Sequence, residues 1–192
     1  MRFPRRRLWL LIPAVCVASA LVESAPIRVR NLANALVDPL QASPSIKATV
    51  LLFVSSECPY SNRTAPEIRR LAEEFASKGV RFWLIYPNRA DTPEIIRAHL
   101  TAFGYPDIAL RDPDHALVKL AMPTVTPEAA VFDKNGVLVY RGRIDDRFVE
   151  LGRERPSPTR HDLQEALTAT LAGKRVVPQT TQAFGCFLAD LR

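Results

Sequence analysis

Residues 46–55, Ile-Lys-Ala-Thr-Val-Leu-Leu-Phe-Val-Ser, run straight into Ser56-Glu57-Cys58-Pro59-Tyr60-Ser61. An almost unbroken apolar run of this length, rich in Val and Ile, is expected as a strand buried on both faces. Downstream, Thr64-Ala65-Pro66-Glu67 has the spacing of a capping box. Ile68, Leu71, Ala72 and Phe75 then recur at helical intervals, predicting an amphipathic helix that ends near Gly79. A cysteine is therefore set on the short connection between a buried strand and a helix. A strand buried on both faces needs neighbours on each side and helices above and below, which restricts the chain to layered α/β architectures.

The rest of the chain continues the alternation. Val80 to Tyr86 reads as a second buried strand, and Thr92-Pro93-Glu94 opens a helix through Phe103, with Pro at its first position. Ile108 to Leu110 is a short third strand, and Asp112-Pro113-Asp114 opens a short helix through Leu120. Glu128 to Phe132 and Val137 to Arg141 flank Asp133-Lys134-Asn135-Gly136, a strong hairpin signal. Thr159 and Asp162 cap a last helix that runs to Leu171 and stops at Gly173. Residues 21–45 are expected to be irregular, broken by Pro26, Pro39 and Pro44, except for a short helix over 31–37. Alternating strands and helices give parallel pairing with right-handed crossovers, and the hairpin adds antiparallel strands. The expected fold is α/β: three layers, with a central mixed sheet and helices on both faces.

The 192 residues fit one domain. Arg2, Arg5, Arg6 and Arg7 supply four charges of the net +6, so the remainder carries only about +2. No basic stripe is interleaved with aromatics, which excludes a nucleic-acid footprint. The basic start, the apolar run from Leu8 to Ala20 and Ala18-Ser19-Ala20 together read as a secretory signal over residues 1–20. The apolar run, about 13 residues, is short for a span. The expected location is the periplasm or cell envelope of a bacterium; the alternative is an uncleaved membrane anchor through the N-terminus. Residues 21–45 then form an N-terminal extension, 46–173 the domain and 174–192 a cysteine-containing tail. Signal removal takes Cys16 with it and leaves Cys58 and Cys186, which either pair or keep at least one thiol for chemistry.

The N-terminus of a helix offers unpaired N–H groups and a partial positive charge. Both favour thiolate over thiol at Cys58, and the thiolate is the nucleophile of disulfide exchange and of attack on peroxide. The alternative is a buried structural cysteine, against which Pro59 and the polar neighbours Glu57, Tyr60 and Ser61 argue. Cys186 is either a spare thiol or a resolving partner for Cys58, since closing a long loop costs only logarithmically more than a short one. Pro127 either starts a helix after Thr126 or follows a cis bond; the β-type run after it favours cis. His99, His115 and His161 stand at no ligand spacing and suit surface or capping roles, so neither metal nor cofactor is expected.

Phe53-Val54-Ser55-Ser56-Glu57-Cys58-Pro59-Tyr60-Ser61 before a long helix resembles the active-site turn of the thioredoxin-like superfamily. Val125-Thr126-Pro127-Glu128, followed by strand, turn and strand, resembles its cis-proline segment. The resemblance covers residues 46–172. It is nearest to the redoxin branch, which includes relatives of alkyl hydroperoxide reductase and thiol-specific antioxidant proteins, and to exported bacterial redoxin-domain proteins. It implies that Pro127 lies beside Cys58, that Thr126 offers backbone hydrogen bonds to a bound peptide, and that Pro59, Tyr60, Thr126 and Pro127 contact substrate. Ser61 stands where a thioredoxin has its second cysteine; it can donate a hydrogen bond to the thiolate but cannot resolve a disulfide. Asn62 replaces the second cysteine of copper-delivery relatives. Leu51 replaces a peroxiredoxin proline, and no arginine stands near Pro127, with Arg141 and Arg143 close in sequence but unmatched.

Three functions follow as expectations. The first is a cell-envelope thiol-disulfide oxidoreductase acting on protein thiols or disulfides, with an external reductant. The second is a thiol peroxidase in which Cys58 passes through sulfenic acid. The third is a non-catalytic binding module that uses the groove around Pro127.

Overall fold

All six residues of the strand Ala48–Phe53 are buried, because it lies between two neighbours and under helices on both faces. The computed structural model describes residues 26–188; the expected signal over residues 1–20 lies outside them. In chain order the strands are β1 (Val29–Asn31), β2 (Leu36–Val37), β3 (Ala48–Phe53), β4 (Val80–Tyr86), β5 (Ala109–Arg111), β6 (Val125–Thr126), β7 (Glu128–Asp133), β8 (Leu138–Gly142), β9 (Phe148–Glu150), β10 (Arg153–Glu154) and β11 (Cys186–Phe187). The helices are α1 (Pro59–Ala76), α2 (Pro93–Phe103), α3 (Ala116–Ala121) and α4 (Asp162–Leu171).

Seven strands form the central sheet in the order β2-β1-β5-β4-β3-β7-β8. β3 runs parallel to β4, and β4 parallel to β5. β7 is antiparallel to β3 and forms a hairpin with β8. This is the mixed sheet expected from the order of elements. Two small two-stranded pairs, β9 with β10 and β6 with β11, stand apart from it.

The period of two along β3 divides the core. Val50 and Leu52 face α1, α2 and α4, meeting Ile68, Leu71, Phe75, Ile96, Leu163 and Leu167. Leu51 and Phe53 face the other way, toward Leu117, Val118 and Ala121 of α3. Three helices cover one face and one short helix the other. Truncating a side chain such as Leu52 to Ala would cost about 2–5 kcal/mol in transfer and cavity terms.

Several local expectations are met by side-chain hydrogen bonds. Asp112 caps α3, accepting from the amides of Ala116, Leu117 and Val118 at 2.8, 2.9 and 3.0 Å. Asp133 closes the β7–β8 turn by accepting from the amides of Asn135 and Val137, both at 2.9 Å. Thr92 accepts from the Ile95 amide at the start of α2.

Others are corrected. Residues 31–37 are not a helix. Asn31 accepts from the amides of Ala33 and Ala35 through its side chain, which bends the chain into the antiparallel pair β1–β2 at the sheet edge. The capping box at Thr64 does not start α1. Both Pro59 and Pro66 suit a first helical position, and the chain uses the earlier one; Thr64 instead donates back to the Tyr60 carbonyl at 2.8 Å from inside the helix. Thr159 does not cap α4 either, because its amide and hydroxyl are taken by Asp146.

Candidate functional site

Cys58 is the N-cap of α1, with extended backbone, and is 1% exposed. β3 delivers the turn: the Cys58 amide donates to the Ser55 carbonyl, and the Cys58 carbonyl accepts from the Asn62 amide. Pro59 at the first helical position has no N–H, so the unpaired amides of the first turn are those that follow it. The Ser61 amide is one of them, and it points at the Cys58 sulfur. Ser61 is fully buried, and its oxygen accepts from the Ser55 amide at 3.4 Å, leaving its hydroxyl hydrogen for the sulfur.

The Thr126–Pro127 bond is cis, and Thr126 meets Cys58 across 68 positions of sequence. The thiol donates to the Thr126 carbonyl at 3.0 Å. The Thr126 hydroxyl is buried, has no hydrogen-bond partner among the described residues, and lies close enough to the same sulfur to lower its pKa.

Cys186 completes the cluster. β11 pairs antiparallel with β6, placing Cys186 opposite Thr126 and Phe187 opposite Val125. Both cysteines are reduced, and they are near enough for each to shift the other's proton affinity. Burial alone would push the Cys58 thiol up. The hydrogen bonds from Cys186, from the Ser61 amide and from the hydroxyls of Thr126 and Ser61 outweigh it and hold Cys58 below its ordinary value. Cys186 is pushed up to about 12, first by burial and then because it keeps its proton to donate to Cys58; the Tyr60 amide opposes this weakly. The cysteine-containing tail is thus strand-paired at its cysteine.

Tyr60 and Pro59 line an open groove of about 240 Å³ with Arg63, Phe148, Gly152, Arg153 and Glu154. The Tyr60 ring packs edge-on against Phe148 at 4.8 Å, and its hydroxyl accepts from the Gly152 amide at 2.8 Å, so the β9–β10 hairpin is docked on the start of α1.

Buried polar groups not singled out from sequence hold this cluster in place. Glu128, 3% exposed, accepts from the amides of Thr124 and Val125 at 2.7 and 3.3 Å and from the Thr124 hydroxyl at 3.0 Å, fixing the loop that carries Thr126. Asp91 takes the Ser56 hydroxyl beside the turn, and burial pushes its carboxyl up. His99 corrects the surface assignment: it is 5% exposed and bridges the Tyr86 hydroxyl and the Asn62 side chain, each at 2.8 Å. Burial lowers its pKa. With Nε2 donating to Asn62, Nδ1 accepts from Tyr86. No pattern in the sequence marks these partners, which lie on different elements. His115 and His161 do sit at helix starts, as the N-cap residues of α3 and α4. Among the described residues, no three His, Cys, Asp or Glu side chains gather as a metal site.

The Arg141 side chain donates to the Met122 carbonyl at 2.8 Å and lies 3.6 Å from Glu128; Arg143 is paired with Asp162 at 2.7 Å. Both guanidiniums are committed elsewhere than to Cys58.

Among solved structures, the chain is similar to an uncharacterized conserved protein from Geobacillus kaustophilus, at 29% identity and a TM-score of 0.72, covering 85% of this chain and 87% of that one. It is also similar to a hypothetical protein from Sinorhizobium meliloti 1021, at 26% identity and 0.71, covering 85% and 90%. A secreted Mycobacterium tuberculosis disulfide oxidoreductase, homologous to E. coli DsbE, shares the fold at 19% identity and 0.51, over 77% of this chain and 96% of that one. No curated protein matches the sequence. The Redoxin family matches residues 35–151, a stretch that runs from β2 through the Cys58 turn and the Thr126–Pro127 segment to the end of β9. A family match over more than half of the chain, on a thioredoxin-like fold with its cysteine at the strand–helix turn, makes this protein a member of the Redoxin family.

Proposed function

We propose that the protein is a thiol-disulfide oxidoreductase in which Cys58 attacks and Cys186 resolves. The observation that carries this reading is the meeting of two reduced sulfurs at Thr126, one disposed to lose its proton and the other to keep it. The Cys58 thiolate attacks one sulfur of a partner disulfide, forming a mixed disulfide and expelling the first partner thiolate. Cys186, once deprotonated, attacks the Cys58 sulfur, expels the second partner thiolate and leaves a Cys58–Cys186 disulfide. The partner disulfide has been reduced by two electrons. An external dithiol returns the pair to the reduced state by the same exchange in reverse.

Ser61 and the Thr126 hydroxyl stabilise the thiolate, while Pro59, Tyr60, Thr126 and Pro127 form the contact surface for the partner. Residues 46–173 carry the attacking Cys58, with β1 and β2 adding to their sheet, and 174–192 form the tail that carries the resolving Cys186. Disulfide exchange needs no cation at the nucleophile. The commitment of Arg141 and Arg143 to other partners therefore favours it over peroxide chemistry. Export follows from the signal-like residues 1–20 and accords with the secreted oxidoreductase of similar fold.

The test is to oxidise the reduced mature protein with glutathione disulfide, digest it and map its disulfides. A Cys58–Cys186 peptide is expected, formed at a rate that rises with pH and levels off below the ordinary thiol value of about 8.5. A Cys58 that reacts only above that value, or a mixed disulfide that persists while Cys186 stays alkylatable, overturns the assignment.

A further inference from the structure

The site as it stands is occupied by the protein's own chain. Residues 179–181 are fixed to β8: the Arg141 amide donates to the Gln179 carbonyl at 2.9 Å and the Thr181 amide to the Arg141 carbonyl at 3.1 Å. The Thr181 hydroxyl meets Tyr140 at 2.7 Å and accepts from the Arg143 amide at 3.1 Å. Beyond this anchor the chain reaches back over β6 with far fewer ties. Two residues, Cys186 and Phe187, make the pairing. Phe187 is 81% exposed, and an open groove of about 520 Å³ lies along the segment, lined by Val125, Leu151, Phe184 and Phe187 among others. A short strand resting on a sheet edge with few buried side chains is at the low end of local stability.

What this segment presents to β6 is what a protein partner of a disulfide exchanger must present: an extended backbone with a cysteine held at the nucleophile. Strand addition to an open edge supplies sequence-independent hydrogen bonds, and side-chain fit supplies selectivity. Here the selective position is Gly185. A Cβ on it would overlap the Thr126 carbonyl oxygen and come within 2.7 Å of the carbonyl carbon.

Resting on the oxidoreductase reading above, we propose that residues 182–188 form a displaceable arm, an internal ligand of the β6 edge. A cysteine-bearing partner must expel it, and the arm also describes that partner's segment: extended, with glycine directly before the cysteine. The hinge follows Thr181. With the arm expelled, a disulfide-bearing partner pairs with β6, and Cys58 attacks the partner's sulfur, forming a mixed disulfide and releasing the other partner sulfur as a thiolate. The arm then swings back, and Cys186 attacks the Cys58 sulfur, expels the second partner thiolate and takes the same edge as the partner leaves.

The experiment uses the full mature chain carrying Cys186→Ser, so that Cys58 is its only thiol, with and without Gly185→Val, which keeps the arm from seating. Two probes carry a thionitrobenzoate leaving group: 5,5′-dithiobis(2-nitrobenzoate), and the peptide Ala-Phe-Gly-Cys-Phe-Leu with thionitrobenzoate on its cysteine. In each reaction the Cys58 thiolate takes the probe sulfur and releases one thionitrobenzoate, read by absorbance. Gly185→Val is expected to speed the peptide reaction at least tenfold and the small-disulfide reaction much less. A peptide with Val in place of Gly should react at least tenfold more slowly with both proteins. Equal peptide rates in the two proteins overturn the arm, while failure of both probes to react overturns the oxidoreductase reading instead.

A second measurement is independent of that chemistry. Hydrogen exchange across residues 185–188 of the reduced wild-type chain should accelerate when the unreactive peptide Ala-Phe-Gly-Ser-Phe-Leu is added in excess. Unchanged protection at saturating peptide overturns the arm whether or not Cys58 is active.

Discussion

Tyr105 donates its hydroxyl hydrogen to the Ser61 carbonyl across 2.6 Å, supporting the first turn of α1 from the loop that follows α2. Both residues are buried, Ser61 completely and Tyr105 at 7% exposure. The turn that presents Cys58 is thus held from the core side by a group far away in sequence. Tyr105→Phe should leave that carbonyl without its partner and lower stability by about 1–2 kcal/mol. Urea unfolding of the reduced proteins, compared at constant slope, checks it.

The two cysteines hold each other's protonation in opposite directions, so each should respond to loss of the other. Cys186→Ala removes a hydrogen bond that lowers Cys58, and the pH midpoint of Cys58 alkylation should rise. In Cys58→Ala, the midpoint of Cys186 should fall from about 12 toward the ordinary thiol range, stopping short of it because burial is the larger cause. Iodoacetamide rates followed across pH read both; a Cys58 midpoint that stays put in Cys186→Ala refutes the coupling.

Ser61 gives the Cys58 sulfur both an amide and a hydroxyl hydrogen. Ser61→Ala keeps the first and loses the second, so the Cys58 midpoint should move upward, by less than is seen on loss of Cys186. Ser61→Cys, combined with Cys186→Ser, should restore an internal disulfide within the first turn of α1, detectable by mass after mild oxidation.

Acid should weaken the fold through Asp146. Its carboxylate accepts from the Thr159 amide at 2.6 Å, the Arg160 amide at 2.9 Å and the Thr159 hydroxyl at 2.5 Å, and pairs with Arg155 at 3.3 Å. Against the opposing effect of burial, these hold its pKa down to about 2. A folded-state value below the unfolded one contributes stability that is full above about pH 4 and is lost as pH falls toward about 2. Asp146→Asn should be less stable than the parent at neutral pH, and the gap should narrow across that window. Denaturation midpoints at about pH 6, 3 and 2 test the sign.

The strand–turn–helix at Cys58 and the β7–β8 hairpin were legible because each is encoded locally. The first is read from an apolar run ended by Cys-Pro, the second from Asp133 and Gly136 at fixed offsets. Thr126–Pro127 was legible through the strand that follows it. The start of α1 was not: Pro59 and Pro66 carry the same local signal, and only the packing of Ser61, Thr64 and Ala65 decides between them. Nor were the supports of the site. Glu128, Asp91, His99 and Tyr105 look like ordinary strand, loop and helix residues in the sequence. Their roles come from partners brought near by the fold, such as Asn62 for His99 and Ser56 for Asp91. The approach of Cys186 to Cys58 was open in the sequence, and it depends on Thr181 seating against β8.

The closeness of Gly185 to the Thr126 carbonyl also acts as an index mark on a sliding scale. Side chains alternate along a strand, so a slip of one residue turns every one to the opposite face. Two paired residues offer little resistance to such a slip. A slip in either direction would bring Phe184 or Cys186 to the spot where no Cβ fits. The only residue that can lie against that carbonyl is the one whose successor carries the sulfur, so the missing methyl ensures that whenever the segment returns, its thiol comes back facing Cys58.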